Sequence, residues 1–562
     1  MESNGEVKPE AKDEGNAEAK EDAKVEAGGA SSEDESAEKK SGIEGKISPY
    51  VLGIDLGTSN SVVSIYKKGK AEVLEISGHD VNPSVVNYRE DGSVIVGMQA
   101  KRRVVLDPDN SIVSIKRHMG DADYKVMCRE KELTPTDVAA QILDFLKSGA
   151  QDQEKIPLDG TVKYAVICIP ANFDSNKREA TRKAGELAGL EVLRLLEEPV
   201  AAAMAYGVGK DRDQTILVYD LGGGTFDVSV LGVKTSSDKG APPQFTVMAK
   251  EGISELGGDD FDEKLMQHVN DVFKEQSGID LLDETKDQGI SKKKLRSARQ
   301  VLKEKVEQAK KDLSESEETS IDAPNIVKGE DGTQHHLSVD ITREQFEGLI
   351  SELVKQSEIA ITKALESAKV SKDDVDRIIL VGGSTKAPLI KKVVTEMLEI
   401  EPFADVNPDT VVSQGAAILG STLGLPDEEV EAKAEEDSAG SIMEDNKTSQ
   451  HLGIEIKGGR FSVILEKGIE IPAEAKKTYV NSTDNMTSMR ITVFQFMDEA
   501  EYVSDEGGVC LGEFYLNGIT PAKAGEVQVE VSFQIDTEGI MKVSAECQDG
   551  SGVKKKLEIR RD

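Results

Sequence analysis

The sequence predicts an α/β protein that is built from two related lobes and ends in an antiparallel β-domain. Short apolar runs such as VLGIDLG and TILVYDLGGGTFDVSVLGV alternate with amphipathic stretches of helical period, for example KREATRKAGELAGL. The signature Asp-Leu-Gly occurs at Asp55 and again at Asp220, which indicates a duplicated lobe. From His451 onward, segments such as FSVILEKGIEIP and MRITVFQF alternate apolar and polar residues, as half-buried strands do.

Composition divides the chain into four parts. Residues 1–46 carry no aromatic residue and almost no large aliphatic one, so they cannot bury enough apolar surface to offset their ordering entropy. We therefore predict a disordered acidic tail over 1–48, followed by an α/β domain over 49–426. Residues 427–450 are rich in acids and small residues and are expected to be an acidic linker, which leaves 451–562 for the β-domain.

Charge and cysteine content exclude several classes of function. The chain has 562 residues, with 105 Asp and Glu against 69 Lys and Arg, and a net charge of −36. Such a surface repels nucleic acid and anionic lipid, so we expect neither as a partner. No apolar run or leader pattern marks a membrane or secreted protein, and a cytoplasmic location is expected. The cysteines lack metal or CxxC spacing and are predicted to be reduced thiols: Cys128, Cys168, Cys510 and Cys547.

The repeated Asp-Leu-Gly turn, which a Thr follows directly at Thr58 and two glycines later at Thr225, suggests phosphate chemistry. A strand that ends this way places a carboxylate beside a glycine turn whose N–H groups and hydroxyls can face a phosphate. Two such turns could hold a β,γ-phosphate pair while Asp55 and Asp220 hold a hydrated Mg²⁺ between them. The chain has neither GxxxxGK[ST] nor the HRD and DFG motifs, which excludes P-loop enzymes and protein kinases.

Eight motifs, in order along the chain, closely resemble those of the Hsp70 (DnaK-type) chaperones. They are GIDLGTSNS (53–61), GMQAKR (97–102), IPANFDSNKREAT (169–181), EEPVAAAMAYG (197–207), YDLGGGTFDVSV (219–230), ELGGDDFD (255–262), ILVGGSTKAP (379–388) and NPDTVVSQGAA (407–417). The resemblance runs from about Tyr50 to Asp562. It implies an actin-like ATPase domain with ribonuclease H-like duplicated lobes, followed by a β-sandwich that binds peptides.

The resemblance also implies roles for residues around the phosphates. Lys101 matches the catalytic lysine that orients the attacking water, and Glu198 matches the carboxylate that senses metal and water. Asp220 and Asp227 match positioning groups. The matches to phosphate-contacting hydroxyls and loop glycines are Gly57, Thr58, Ser59, Asn60, Gly222, Gly223, Gly224 and Thr225. Ser59 replaces the usual Thr and keeps a hydroxyl donor, so phosphate binding is expected to survive.

Adenosine recognition is expected on one helix face and a second glycine turn. Four residues at i, i+3, i+4 and i+7 share that face: Glu307, Lys310, Lys311 and Ser314. Spacing alone favours a solvated charged face, whereas the resemblance implies contacts to ribose and adenine. It adds Gly258, Gly382, Gly383, Ser384, Lys386 and Asp409 to the nucleotide site. Lys386 stands where the family usually has a stacking Arg, so that contact is expected to be weaker. The implied cofactors are ATP or ADP with Mg²⁺, and K⁺ as an option.

The second half departs from the family pattern. The residues that match the peptide groove are Ile454, Lys457, Tyr479, Ser482, Met489 and Ile491. Lys457 and Ser482 would make the arch over the peptide polar, which disfavours apolar peptides. The linker has acids at Glu444 and Asp445 where apolar residues normally dock, so interdomain coupling is expected to be weak. No helical lid follows KKKLEIRRD, which predicts fast peptide exchange.

These features predict an ATP-dependent chaperone that binds and releases extended polypeptide segments, with a weak intrinsic ATPase rate. A J-domain protein is the expected partner, with a nucleotide exchange factor as an option. The alternative is an Hsp70-like regulatory or co-chaperone scaffold that binds ATP without a full peptide-clamping cycle. The acidic linker, the polar arch and the missing lid favour this alternative. The set Lys101, Glu198, Asp220 and Thr225 favours the chaperone.

Overall fold

The computed structural model describes residues 47–558 apart from 153–157, 208–211, 236–242, 330–331, 404–405, 424, 426–442, 445–447, 449, 497–498, 506, 537–540 and 549–553. The predicted acidic tail lies almost wholly outside the described residues, and so does most of the predicted linker. Within Lys46–Asp562, which is one unit, there are two α/β regions and a C-terminal β region.

The first α/β region covers residues 47–207 and is centred on a mixed sheet of order β11-β10-β1-β2-β3. Its strands are β1 (Leu52–Leu56), β2 (Asn60–Lys67), β3 (Lys70–Val73), β4 (Asn82–Pro83), β5 (Val86–Tyr88), β6 (Val94–Val96), β7 (Ser111–Ile112), β8 (Val126–Cys128), β9 (Lys131–Leu133), β10 (Tyr164–Ile169) and β11 (Glu191–Glu197). Its helices are α1 (Met98–Arg103), α2 (Pro135–Gln151), α3 (Ser175–Leu187) and α4 (Glu198–Ala205). Helix α2 begins at a capping box in which the Thr134 hydroxyl accepts from the Asp137 N–H.

The second α/β region covers residues 212–425 and repeats the same sheet pattern. Strand β12 pairs antiparallel with β13 and parallel with β17, as β1 pairs antiparallel with β2 and parallel with β10. The strands are β12 (Gln214–Leu221), β13 (Phe226–Lys234), β14 (Gln244–Ile253), β15 (Glu318–Lys328), β16 (Gln334–Thr342) and β17 (Arg377–Val381). The helices are α5 (Gly258–Ser277), α6 (Lys292–Glu315), α7 (Arg343–Ala368), α8 (Pro388–Leu398) and α9 (Val411–Gly420).

Helices α4 and α9 pack against each other and against strands of both sheets, within one buried apolar cluster that joins the two regions. Close packing of α9 on β1 depends on Gly53. A Cβ at this position would lie 2.2 Å from the backbone nitrogen of Ala417, which is far inside van der Waals contact. The site residues at the ends of β1 and β12 are therefore carried by two sheets with a common core.

The C-terminal β region covers residues 448–558 and contains two four-stranded sheets of orders β20-β19-β22-β23 and β21-β24-β25-β26. After β18 (Met443–Glu444), its strands are β19 (His451–Ile456), β20 (Arg460–Leu465), β21 (Ala473–Val480), β22 (Ser488–Phe496), β23 (Val509–Asn517), β24 (Gln528–Ile535), β25 (Met541–Cys547) and β26 (Lys554–Glu558). Alternate residues of β24, such as Val529, Val531 and Phe533, are fully buried in a core that draws on both sheets.

Contacts among the described residues join the β region and its linker to the α/β regions. The backbone of Met443–Glu444 pairs in parallel with Gln244–Phe245, at the edge of the second sheet. The Asn176 side chain on α3 donates to the Leu511 carbonyl oxygen at 3.4 Å. Glu444, one of the two acids expected to weaken docking, thus belongs to a segment whose backbone is paired with that sheet.

Candidate functional site

Four acidic side chains meet between the two sheets. Asp55 and Asp220 occupy the same place, one residue before the end of β1 and of β12. Asp227 lies opposite Asp220 on β13, and Glu198 opens α4. Desolvation and then the Glu198 charge raise the pKa of Asp55 and of Asp227 to about 7, and they raise the pKa of Asp220 well above its usual range. This cluster therefore requires cations.

A lysine ammonium group binds one of these carboxylates directly. Lys116 lies in the short helical turn Ile115–His118, and its Nζ is 2.6 Å from Glu198 Oε1. Only 8% of the Lys116 side chain and 11% of the Glu198 side chain are exposed. Desolvation acts to lower the pKa of Lys116, but the charges of Glu198 and Asp55 outweigh it and the pKa is raised. Lys116 is therefore a permanent ammonium at the base of the site.

The two glycine turns face each other. A Cβ on Gly223 would lie 1.9 Å from the Ser59 hydroxyl oxygen, so this glycine permits the β12–β13 turn to approach the β1–β2 turn. The Gly222 N–H donates to the Thr225 carbonyl, and Arg117 Nη2 donates to the Gly224 carbonyl at 2.9 Å. The remaining predicted phosphate contacts lie in the first turn or next to it: Gly57, Thr58 and Asn60.

The residues predicted for adenosine come together beside the second turn. The Ser384 hydroxyl donates to the Gly222 carbonyl at 2.8 Å, and Lys310 Nζ donates to the Gly258 carbonyl at 2.9 Å. A Cβ on Gly383 would lie 2.6 Å from Asp409 Oδ1. Four more predicted members flank them: Lys386, which pairs with Asp409, Gly382 (φ 84°), Ser314 and Lys311.

Lys101 lies elsewhere. Its Nζ is 2.8 Å from both carboxylate oxygens of Glu307, which joins α1 of the first region to α6 of the second. Lys311 also binds Glu307 at 2.6 Å, and these two ammonium groups hold the pKa of Glu307 at about 2 against its burial. Lys101 therefore binds Glu307 rather than the carboxylates around Lys116, and its predicted catalytic role stays a prediction.

Sequence reasoning missed Lys116 together with Asn172, whose side-chain nitrogen donates to Asp227 Oδ1 at 2.7 Å. Lys116 and Lys101 each stand before an arginine in a charged stretch, so local sequence does not separate them. Burial separates them, because the Lys101 side chain is 32% exposed.

Comparison with known proteins agrees with this architecture. A model of the Hsp70 protein family matches residues 51–562. The chaperone protein DnaK of Halobacterium salinarum is 41% identical over 506 residues, which cover 90% of this chain and 74% of that protein. The chaperone protein DnaK of Thermotoga neapolitana is 41% identical over 513 residues, covering 91% and 80%. The chain belongs to the Hsp70 family.

As an Hsp70-type chaperone the chain is an ATPase, and the family binds ATP and ADP with Mg²⁺. No helix in the part of the chain that the structure describes is long and apolar enough to cross a membrane.

The carboxylates of Asp55 and Asp220 in this Hsp70 protein suit a Mg²⁺ ion whose remaining ligands are waters and nucleotide phosphates. Asp55 and Asp220 offer hard carboxylate oxygens of the kind that Mg²⁺ prefers. Burial and nearby negative charge raise the pKa of both carboxyl groups, and a bound cation would lower these pKa values again. Among the described residues, no three His, Cys, Asp or Glu side chains are close enough to hold a metal by themselves. Mg²⁺ usually keeps several waters and binds through one or two carboxylates plus substrate phosphates, so the site suits a metal that arrives with its nucleotide.

The residues predicted for the peptide groove separate into three groups. Ile454 and Ile491 are 4% and 1% exposed and belong to the core of the β region. Met489 and Tyr479 are half-buried against that core, and the Tyr479 hydroxyl lies 3.0 Å from the Ser462 hydroxyl. The two predicted arch residues, Lys457 and Ser482, are exposed. In this conformation, two of the four predicted apolar groove residues have almost no surface to offer a ligand.

Proposed function

We propose that this Hsp70 chain hydrolyses ATP between two actin-like lobes and uses the reaction to control binding of extended polypeptide segments in its β-sandwich. The repeated sheet pattern, with α4 and α9 in a shared core, supports the duplicated architecture. One observation carries the proposed chemistry: the buried Lys116–Glu198 pair at 2.6 Å, whose ammonium group also interacts with the charges of Asp55 and Asp220.

In this proposal the phosphates lie between the turns that contain Ser59 and Gly223. Asp55 and Asp220 would hold Mg²⁺ through its waters, and the metal would supply charge neutralisation on the phosphates. Lys116 carries a permanent charge and has three N–H donors, one of which binds Glu198. The others would hold a phosphate oxygen or the attacking water. A role for K⁺ stays a prediction.

The carboxylates would act on the water. Glu198 is buried and tied to Lys116, and Asp227 is oriented by Asn172. Both can accept a hydrogen bond from a water and orient it for in-line attack, which is how phosphoryl transfer enzymes gain most of their rate. Catalysis by positioning and charge alone requires no covalent intermediate.

The nucleoside would lie against α5, α6 and the turn that begins at Gly382. Ser384 and Lys310 hold the backbone of this wall in place through the Gly222 and Gly258 carbonyls. The Lys386–Asp409 pair leaves an ammonium, rather than a planar guanidinium, beside the predicted adenine position. We therefore expect nucleotide affinity below that of a site with a stacking arginine.

Peptide binding and its partners form the second half of the proposal. The paired backbone of Met443–Glu444 and the contact from Asn176 to Leu511 give the β region a physical connection to the ATPase regions. Extended polypeptide segments are the proposed substrates, and a J-domain protein and an exchange factor are the proposed partners. The similarity to proteins named chaperone protein DnaK favours this over a scaffold role.

Single-turnover ATP hydrolysis tests the site. The wild type should hydrolyse ATP, Lys116→Ala should bind ATP but lose hydrolysis, and Lys101→Ala should keep it. Adding an extended peptide and a J-domain protein should accelerate the wild type if the regions are coupled. Hydrolysis by Lys116→Ala at the wild-type rate would contradict the assigned chemistry, and turnover insensitive to both additions would favour the scaffold alternative.

A further inference from the structure

Strand β14 carries a buried cation that the proposed mechanism does not use. Lys250 is 9% exposed, and its Nζ donates to the Ala171 carbonyl oxygen. Burying an ammonium costs several kcal/mol unless partners compensate. Such a group therefore calls for a physical explanation.

Strand register places Lys250 on the same face as Asp227. Asp227 on β13 lies opposite Gly252 on β14, and Ser229 lies opposite Lys250. Because residues two apart on a strand point to the same side, Lys250 is a diagonal neighbour of Asp227. Gly252 leaves open the space between strand and carboxylate. A Cβ there would lie 2.6 Å from Asp227 Oδ1 and 2.9 Å from Asn172 Nδ2.

Both side chains bind the same short segment of the first region. Residues Ala171 and Asn172 follow β10, which ends at Ile169. Lys250 holds the Ala171 carbonyl, and the next residue, Asn172, donates to Asp227 at 2.7 Å. Adjacent strands of the second sheet thus fix two consecutive residues of the first region.

We propose that Lys250 is a positioning residue of the ATPase site, holding the Ala171 carbonyl so that Asn172 keeps the Asp227 carboxylate in its hydrolytic orientation. This inference rests on the proposed function, because that proposal assigns Asp227 to the attacking water. Without Lys250, the Ala171–Asn172 segment loses its second attachment to the sheet that carries Asp227.

Charged groups face Lys250 from every side: Glu197 at the end of β11, Arg178 on α3, Asp227 on β13 and Lys467 in the β region. Arg178 Nη2 is itself 2.5 Å from Glu197. Burial is the main cause that lowers the pKa of Lys250, to about 8, and the cations Arg178 and Lys467 add to it. A neutral amine donates a weaker hydrogen bond than an ammonium, so the attachment should weaken as pH rises through about 8.

The test compares single-turnover hydrolysis by the wild type, Lys250→Met and Lys250→Gln from about pH 6 to about pH 10. Lys250→Met should lower the rate about 10- to 100-fold with ATP affinity unchanged, and should abolish the fall in rate near pH 8. Lys250→Gln keeps an N–H donor without a charge, so its rate should lie between those of the wild type and Lys250→Met. The Lys250→Gln rate should not fall with pH near pH 8. Lys234→Met, an exposed lysine on β13, is the matched control.

Wild-type rate and pH profile in Lys250→Met would overturn the proposal. If that variant does not fold, Gly252→Ala tests the Asn172–Asp227 contact that Lys250 is proposed to maintain, because its methyl group would enter the space between Asn172 and Asp227. A wild-type rate in Gly252→Ala would likewise refute the inference. Full activity of Lys116→Ala is a separate result, and it would refute the site assignment whatever Lys250 does.

Discussion

The Lys101–Glu307 pair should control how fast nucleotide leaves. It joins α1 of the first region to α6 of the second, and Lys101 Nζ lies 2.8 Å from both Glu307 oxygens. We expect Lys101→Ala and Glu307→Gln to accelerate ADP release while ATP hydrolysis in Lys101→Ala continues. The reason is that the pair connects the two regions without touching the carboxylate cluster around Lys116.

The size of the effect follows from exposure and geometry. Two unit charges 2.8 Å apart attract by about 6 kcal/mol at an effective dielectric constant near 20. The side chains are 32% and 23% exposed, so solvent screening and lost side-chain entropy reduce the net value to about 1–2 kcal/mol. If the ion pair must break before the transition state for ADP release, a variant without the pair has a barrier lower by this amount. Its release rate is then about 5- to 30-fold higher. Because the pKa of Glu307 is about 2, the difference should not change between about pH 6 and about pH 9.

Stopped-flow displacement of a fluorescent ADP analogue measures the release rate. Lys391→Ala, which breaks an exposed ion pair with Glu401 inside the second region, is the matched control and should stay within about twofold of the wild type. The difference should shrink when salt is raised from about 0.05 M to about 0.5 M. Wild-type release rates in both Lys101→Ala and Glu307→Gln would refute the reasoning. Loss of hydrolysis in Lys101→Ala with ADP release unchanged would restore the role that the family resemblance gave to Lys101.

Three further predictions concern the folded state. Gly53→Ala should destabilise the ATPase regions by about 1–3 kcal/mol, because its methyl group would overlap the backbone at Ala417; urea unfolding measures this. Burial raises the pKa of Asp262 to about 6, so this carboxyl binds a proton in the folded state that the unfolded chain releases between about pH 4 and about pH 6. Its contribution to stability therefore falls as pH rises through that range, and Asp262→Asn should flatten the pH dependence of the melting temperature. Tyr479→Phe should lower the stability of the β region by about 1 kcal/mol through loss of the bond to Ser462, and an unchanged urea midpoint would contradict this.

The parts of the fold and site that were predictable from sequence depend on local signals. Asp55 and Asp220 each precede the last residue of a strand, and a glycine turn follows. A few consecutive residues therefore predict both the carboxylate and the turn beside it. Alternation along β24 marks which of its side chains are buried. Gly258 and Ser384 were placed in the nucleotide site by motif resemblance, and the structure brings them into the same wall.

The lysines of the site carry no such local signal, because the partner of each ammonium group comes from a distant part of the chain. Lys116 comes from a turn and meets Glu198, which is 82 residues away along the chain. Lys250 comes from β14 and is tied to Ala171, 79 residues away. Lys101 stands in a similar charged stretch to Lys116, but it forms an ion pair with Glu307 instead. An acid at a strand end can be assigned from its neighbours in sequence, but a lysine with a long flexible side chain can be assigned only from what surrounds its ammonium group. From that difference we expect different roles for the two lysine pairs: the buried Lys116 should act on charge inside the site, and the partly exposed Lys101 should control the opening between the two regions.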